Sequence, residues 1–84
     1  MNNRDETMTL LTRAFILEKY GVRLTMNQLA TLLAMSEGTI RNQVSAETFP
    51  IATYTEGSKR FASYEAVADY LDSMSKKARA RAAA

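Results

Sequence analysis

Hydrogen-bonding side chains gather in one short segment, SEGTIRNQV, near the middle of this 84-residue chain. Glu37, Arg41 and Asn42 would project together from the exposed side of a single helix. In the major groove of DNA, an arginine can read guanine, an asparagine can read adenine, and a carboxylate can accept from cytosine N4. Gly38 has no side chain, which would allow close approach to a backbone or a thymine methyl group. The segment therefore predicts base recognition.

Two further groups of residues suit phosphate oxygens. Ser36, Thr39 and the N–H groups at the start of the same helix can donate to a phosphate. Lys59 and Arg60 lie in a later segment and would reach an adjacent groove or backbone. The alternative is that each charge is a solvated surface residue without a partner. The full set of predicted DNA contacts is Ser36, Glu37, Gly38, Thr39, Arg41, Asn42, Lys59 and Arg60.

The composition argues against an enzyme. The chain contains neither Cys nor His, so thiolate or imidazole catalysis, a zinc site and disulfides are not expected. It has no Gly-rich phosphate loop, and we predict no cofactor. The net charge of +2 is too small to indicate a nucleic-acid partner by itself. No signal peptide or membrane-spanning run is found, which predicts a cytoplasmic protein.

A pair of short helices must position the central segment. Thr25 and Gln28 have the spacing of a capping box, and Ser36 can cap a second helix after a break at residues 34–35. Two short helices joined by such a turn form a helix-turn-helix. We expect four apolar side chains to fill the space between them: Leu29, Leu33, Ile40 and Val44. The alternative is an ordinary helical hairpin inside a small core.

A helix is predicted from Thr7 to Tyr20, closed by Gly21. One face is apolar and is expected to cover the helix-turn-helix; it comprises Met8, Leu10, Leu11, Ala14, Phe15 and Leu17. Ile16 and Tyr20 would then point outward, four residues apart. We interpret this pair as a self-association contact, giving a dimer or a cooperative array on DNA. The alternative is that isolated surface apolar residues have no function.

The second half of the chain predicts a hairpin and a closing helix. Residues 51–55 alternate in polarity, a turn follows at 56–58, and residues 59–62 would return antiparallel. The side chains that could pack this hairpin on the helices are Phe61, Ile51 and Tyr54. Ser63 would open the last helix, with Asp72 and Lys76 on its solvated side. A basic tail covers residues 76–84. We predict one domain over residues 1–84, with its core between about 7 and 75.

The runs NQLATLLAMSEGTIRNQV, FPIATY, KRF and YEAVADYL carry a family resemblance. They resemble small winged helix-turn-helix proteins of the MerR-like, AlpA and phage excisionase type, and more weakly the pyocin-activator regulators. The resemblance implies a mainly α fold with a small β-hairpin, an extra N-terminal helix and a C-terminal helix. It also implies a sequence-specific double-stranded DNA-binding protein of phage or mobile-element origin, acting as a transcription regulator or an excisionase. Ala34 takes the turn position that these families give to Gly.

The rival function is a small phage-encoded protein that binds and inhibits a host protein without binding DNA. The low net charge favours it, as do the acidic residues Glu37 and Glu56 on the predicted DNA face. The two functions differ in their dependence on salt. Binding to DNA releases counterions and weakens steeply with salt, whereas binding to a protein partner has no slope of that kind.

Overall fold

Within residues 3–83, which the computed structural model describes, helices predominate and a small antiparallel sheet completes the fold. The side chains of residues 6–82 are described, and Ala84 of the predicted tail lies outside the described residues. In chain order the elements are α1 Asn3–Tyr20, β1 Arg23–Thr25, α2 Met26–Leu33, α3 Glu37–Ser45, β2 Tyr54–Glu56, β3 Lys59–Ser63 and α4 Tyr64–Ala83. None of these helices is long and apolar enough to cross a membrane.

The sheet has the strand order β1–β3–β2, with both pairs antiparallel. The predicted hairpin is confirmed, but its first strand begins at Tyr54 rather than Ile51. Its two-residue turn starts with Gly57 at φ +64°, as a tight hairpin with glycine first requires. Strand β1 pairs with the other edge of β3, so that Leu24 lies opposite Ala62. This pairing fixes the hairpin against the start of α2.

Side chains from most of the elements meet in one core. Its buried members are Ile16, Leu24, Met26, Leu29, Ala30, Ile40, Ile51, Ala62, Val67 and Ala68. Leu33 and Val44 pack against this cluster in partly buried positions. The four residues predicted to fill the space between α2 and α3 therefore contribute to the core, although two of them do so from its margin.

Phe61 is buried, but it does not belong to the core cluster that the helices share. Side chains alternate between the two faces of a strand, and its neighbour Ala62 takes the core side of β3. Phe61 is buried on the other face, where the Arg23 guanidinium lies 3.8 Å from its ring centroid and Tyr54 lies 6.0 Å from it, centroid to centroid. Phe61 is therefore buried as predicted, but on the face of β3 opposite Ala62 rather than in the core cluster.

The orientation predicted for α1 is wrong. Ile16 is completely buried in the core, and Tyr20 packs against the core in a partly buried position. They cannot serve as the outward contact that the sequence predicted. The apolar face expected to cover α2 and α3 is exposed instead, with Leu10 at 66% and Phe15 at 56% accessibility.

Polar contacts with α4 explain this orientation. Arg13 donates to Asp69 at 3.0 Å and lies 3.5 Å from Glu65, and these contacts raise the pKa of Arg13, the hydrogen bond to Asp69 most of all. Thr9 and Thr12 both donate to Asp72, which is therefore turned toward α1 rather than toward solvent beside Lys76. Three polar residues of α1 thus lie on the same side as Ile16. The basic tail continues α4 as helix through Ala83.

Candidate nucleic-acid interface

Local hydrogen bonds define the start of α2, and a residue in the left-handed conformation follows its end. The Thr25 hydroxyl accepts from the Gln28 backbone N–H at 3.2 Å, and the Gln28 side chain accepts from the Thr25 N–H at 3.0 Å, which confirms the capping box. Helix α2 ends at Leu33, and its C-cap residue Ala34 is in the left-handed conformation with φ 55° and ψ 43°. An L-residue in this region carries about 1–2 kcal/mol of strain. The turn between α2 and α3 therefore lowers the free energy of unfolding of the protein.

The N-terminus of α3 is capped as predicted. The Ser36 hydroxyl accepts from the Thr39 backbone N–H at 3.0 Å and lies 2.8 Å from the Thr39 hydroxyl. Both hydroxyls are exposed and lie in the first turn of the helix. A helix N-terminus carries partial positive charge, so this turn suits an anionic group.

The rotation of α3 is fixed by Ile40, which is completely buried. Arg41 and Asn42 follow it on the exposed side, and the Arg41 side chain is 69% accessible. Gly38 is exposed in the first turn. These three residues therefore lie on the surface of α3, as predicted.

Arg41 has an intramolecular neighbour. Its guanidinium lies 3.6 Å from the Glu37 carboxylate, one helical turn earlier, and Glu37 also accepts a hydrogen bond from Asn27 at 3.5 Å. Exposed pairs of this kind contribute about 0.3–0.5 kcal/mol. This is small beside the 1–3 kcal/mol or so of a bidentate contact to a base, so Glu37 does not prevent Arg41 from binding another partner.

The β2–β3 hairpin brings a second basic group to the site. Lys59 is exposed, whereas Arg60 is half-buried and donates to the Thr53 hydroxyl at 2.8 Å. At the hairpin tip, Glu56 forms an ion pair with Arg23 of β1. Hydrogen bonding to Tyr54, and next to Glu56, raises the pKa of Arg23 above its ordinary value. The acidic residue at the tip is thus neutralised by a neighbour.

An open groove of about 540 Å³ separates the hairpin from the two helices. Glu37 and Arg41 line one side of it, and Lys59 and Arg60 line the other. Four of the eight predicted contact residues are thereby brought together. The other four do not line the groove and lie along α3 or at its start: Ser36, Gly38, Thr39 and Asn42.

Asn27 also belongs to this site, and the sequence prediction missed it. It is exposed, it lines the groove, and its side-chain amide donates a hydrogen bond to the Glu37 carboxylate. Its position in the first turn of α2, opposite buried Leu29 on the helix, could have indicated it.

Comparison of the chain with models of known protein families, with curated proteins and with solved structures gave no match. The chemistry of the groove is therefore argued from its own residues. Three cationic residues line it, Arg41, Lys59 and Arg60, and its one acidic residue, Glu37, is paired with Arg41. Such a surface can bind an anionic, hydrogen-bond-accepting partner.

Proposed function

We propose that this protein binds double-stranded DNA in a sequence-specific manner as a winged helix-turn-helix. In this proposal α3 is the recognition helix and the β2–β3 hairpin is the wing. One observation carries it: exposed Arg41 on α3 lines the same open groove as Lys59 and Arg60 on the hairpin, and exposed Asn42 follows Arg41 on the helix. The arrangement offers base-reading groups on one element and phosphate-binding groups on its neighbour.

The length and width of α3 fit the major groove of B-DNA. The nine residues of α3 make a helix about 13 Å long, and a helix with its side chains is about 10–12 Å wide. The major groove of B-DNA is about 12 Å wide and admits one such helix. Because Ile40 and Val44 face the core, the opposite side of α3 would enter the major groove of the DNA, with Arg41 and Asn42 toward the base edges.

The biological role that we propose is that of a transcription regulator or an excisionase of phage or mobile-element origin. The resemblance of residues 24–74 to such proteins supports it. Both roles use the same DNA-binding surface, and they differ in how many copies line up and bend the DNA. DNase footprints of one short protected site, or of a series of phased sites, distinguish them.

The second candidate is binding to a protein partner. It is favoured by Glu37 and Glu56, which place negative charge beside the groove. Both carboxylates are paired within the chain, with Arg41 and Arg23, so their effect on a DNA phosphate is reduced. We therefore rank DNA binding first.

A titration tests the proposal. Duplexes covering the DNA around its own gene, and a pool of random-sequence duplexes, are titrated with the protein at several salt concentrations and followed by fluorescence anisotropy and gel shift. We expect a preferred sequence and affinity that falls steeply with salt. The absence of duplex binding at low salt would refute the proposal.

Two variants sharpen this test. Arg41→Ala should weaken binding by about 1–3 kcal/mol and relax the preference at one base pair. Lys19→Ala removes the same charge from α1, away from the groove, and should leave the base preference unchanged. Equal effects of the two variants would mean that α3 does not read the bases.

A further inference from the structure

The ion pair at the tip of the β2–β3 hairpin is not the one that the strand register favours. Glu56 and Lys59 are directly opposite each other, at the two ends of the turn. Side chains in such a pair point to the same face, with their Cβ atoms roughly 4.5–5.5 Å apart, and opposite charges there attract. The structure instead pairs Glu56 with Arg23 of β1. Within residues 6–82, whose side chains are described, no carboxylate lies within ion-pair distance of Lys59.

Arg23 reaches Glu56 by crossing the sheet. Strand β3 lies between β1 and β2, so the Arg23 side chain must pass over β3. It does so across the Phe61 ring, with the guanidinium 3.8 Å from the ring centroid. The electron-rich face of an aromatic ring attracts a guanidinium, and the planar fork of that group suits a carboxylate. Arg23 is therefore held by the ring of the central strand as well as by Glu56.

Tyr54 is the third partner of Arg23. It lies opposite Phe61 on β2, and the two ring centroids are 6.0 Å apart. Hydrogen bonding to Tyr54, and next to Glu56, raises the pKa of Arg23. An isolated exposed ion pair contributes little to stability, whereas several contacts that form a network contribute more. The additional contacts of Arg23 explain why Glu56 pairs with it rather than with Lys59, its partner in the register.

We propose that Arg23 is a positioning residue for the wing: by holding Glu56, it leaves the Lys59 ammonium group free to bind a DNA phosphate. The inference rests on the DNA-binding function proposed above. Lys59 is exposed and lines the groove, whereas Arg23 does not line it and acts through its neighbours. If Glu56 were paired with Lys59, a phosphate would first have to displace the carboxylate. The acidic residue at the wing tip thus does not weaken the wing as long as Arg23 is present.

Competitive labelling of the lysines tests this arrangement without DNA. The protein is treated with a trace of acetic anhydride, and acetylation of Lys59 is measured by mass spectrometry relative to Lys77, an exposed lysine of α4. A lysine beside a carboxylate holds its proton more tightly, so its amine reacts more slowly. Arg23→Met should therefore lower the reactivity of Lys59 about two- to fivefold, because Glu56 becomes available to it. Adding Glu56→Gln to Arg23→Met should restore the reactivity.

Duplex titrations at several salt concentrations test the consequence for binding. Arg23→Met should lower the slope of log K against log salt by about one, which is the effect of losing one phosphate contact. Adding Glu56→Gln should restore the slope, because Lys59 then has no carboxylate opposite it. Glu56→Gln alone should leave the slope unchanged, since Lys59 is already unpaired in the wild type. The effect of Glu56→Gln thus depends on whether Arg23 is present.

The matched control is Lys19→Met, which removes a cation from α1, away from the groove. It should change neither the reactivity of Lys59 nor the slope of duplex binding. Circular dichroism measures the folding of every variant. In Arg23→Met the new side chain can still cover the Phe61 ring with its thioether, which favours folding. If this variant does not fold, Arg23→Gln replaces it, because it is also neutral.

Three results would overturn the proposal. The first is a folded Arg23→Met variant whose Lys59 reacts as fast as in the wild type. The second is a slope that stays low when Glu56→Gln is added, because Arg23 would then bind phosphate itself. The third is an equal effect of Glu56→Gln with and without Arg23. A wild type that binds no duplex would refute the proposed function, and the labelling would still decide whether Arg23 keeps Glu56 from Lys59.

Discussion

Replacing Gly38 with alanine should raise stability and lower DNA affinity. Gly38 lies in the first turn of α3 with an ordinary helical backbone, and a Cβ added there would meet only the Ser36 hydroxyl oxygen, at 3.9 Å. That distance is normal van der Waals contact, so the methyl group causes no strain. Alanine also loses less backbone freedom than glycine on entering a helix, which is worth about 0.5–1 kcal/mol.

The stability gain can be measured directly. For a domain of this size, 0.5–1 kcal/mol corresponds to a rise in melting temperature of roughly 2–8 °C. Thermal unfolding followed by circular dichroism is the assay. Gly21→Ala is the contrasting control, because Gly21 has φ +92° and alanine there is strained by about 1–2 kcal/mol. A lower melting temperature for Gly38→Ala would refute the conformation described for α3.

The effect on binding has the opposite sign. If α3 approaches DNA closely at Gly38, an added methyl group in that contact should cost about 1–3 kcal/mol, which is roughly five- to 150-fold in Kd. Anisotropy titrations on the preferred duplex measure it at a temperature where both proteins are folded. Unchanged affinity in a stabilised variant would show that Gly38 does not lie against the DNA.

Three other changes give distinct outcomes. Ala34→Gly removes left-handed strain but adds freedom to the unfolded chain, so urea unfolding should show a net gain of about 0.5–1 kcal/mol; a loss would contradict the turn geometry. Lys59→Ala should reduce the slope of log K against log salt by about one, for all duplexes alike. Asp72→Ala should destabilise by about 1–3 kcal/mol in the same unfolding assay, because the Thr9 hydroxyl of α1 loses its acceptor, whereas the Thr12 hydroxyl keeps the Met8 carbonyl.

The α2–α3 pair could be predicted from the sequence because its signals are local. The capping hydrogen bonds of Thr25 and Ser36 each join residues three apart, so they can be read from the spacing alone. The exposure of Arg41 and Asn42 follows from the position of Ile40 on the same short helix. Local chemistry thus defined the starts of both helices and the exposed side of α3.

The orientation of α1 could not be predicted in the same way. Its apolar residues are spread around most of the helix, and the choice of face depends on Arg13 and Asp69, which are 56 residues apart. Similarly, alternation in β3 separates Phe61 from Ala62 but does not say which of them meets the core. The pairing of β1 with β3 determines which of the two faces the core, and this pairing joins segments nearly forty residues apart. Long-range contacts therefore determine which side of α1 and which face of β3 are buried in the core, and the sequence periodicity does not.

The docking of α1 on α4 also has a consequence for synthesis on the ribosome. The hydrogen bond between Arg13 and Asp69 can form only after Asp69 has been synthesised, 56 residues later. At a synthesis rate of 5–20 residues per second, this delay is about 3–11 s. During that time the nascent chain has Ile16 uncovered by α4 as well as the outer face of α1, while α2 and α3 already have their own caps. A co-translational chaperone that recognises apolar segments would have its best opportunity at α1. Release from it would coincide with the emergence of α4.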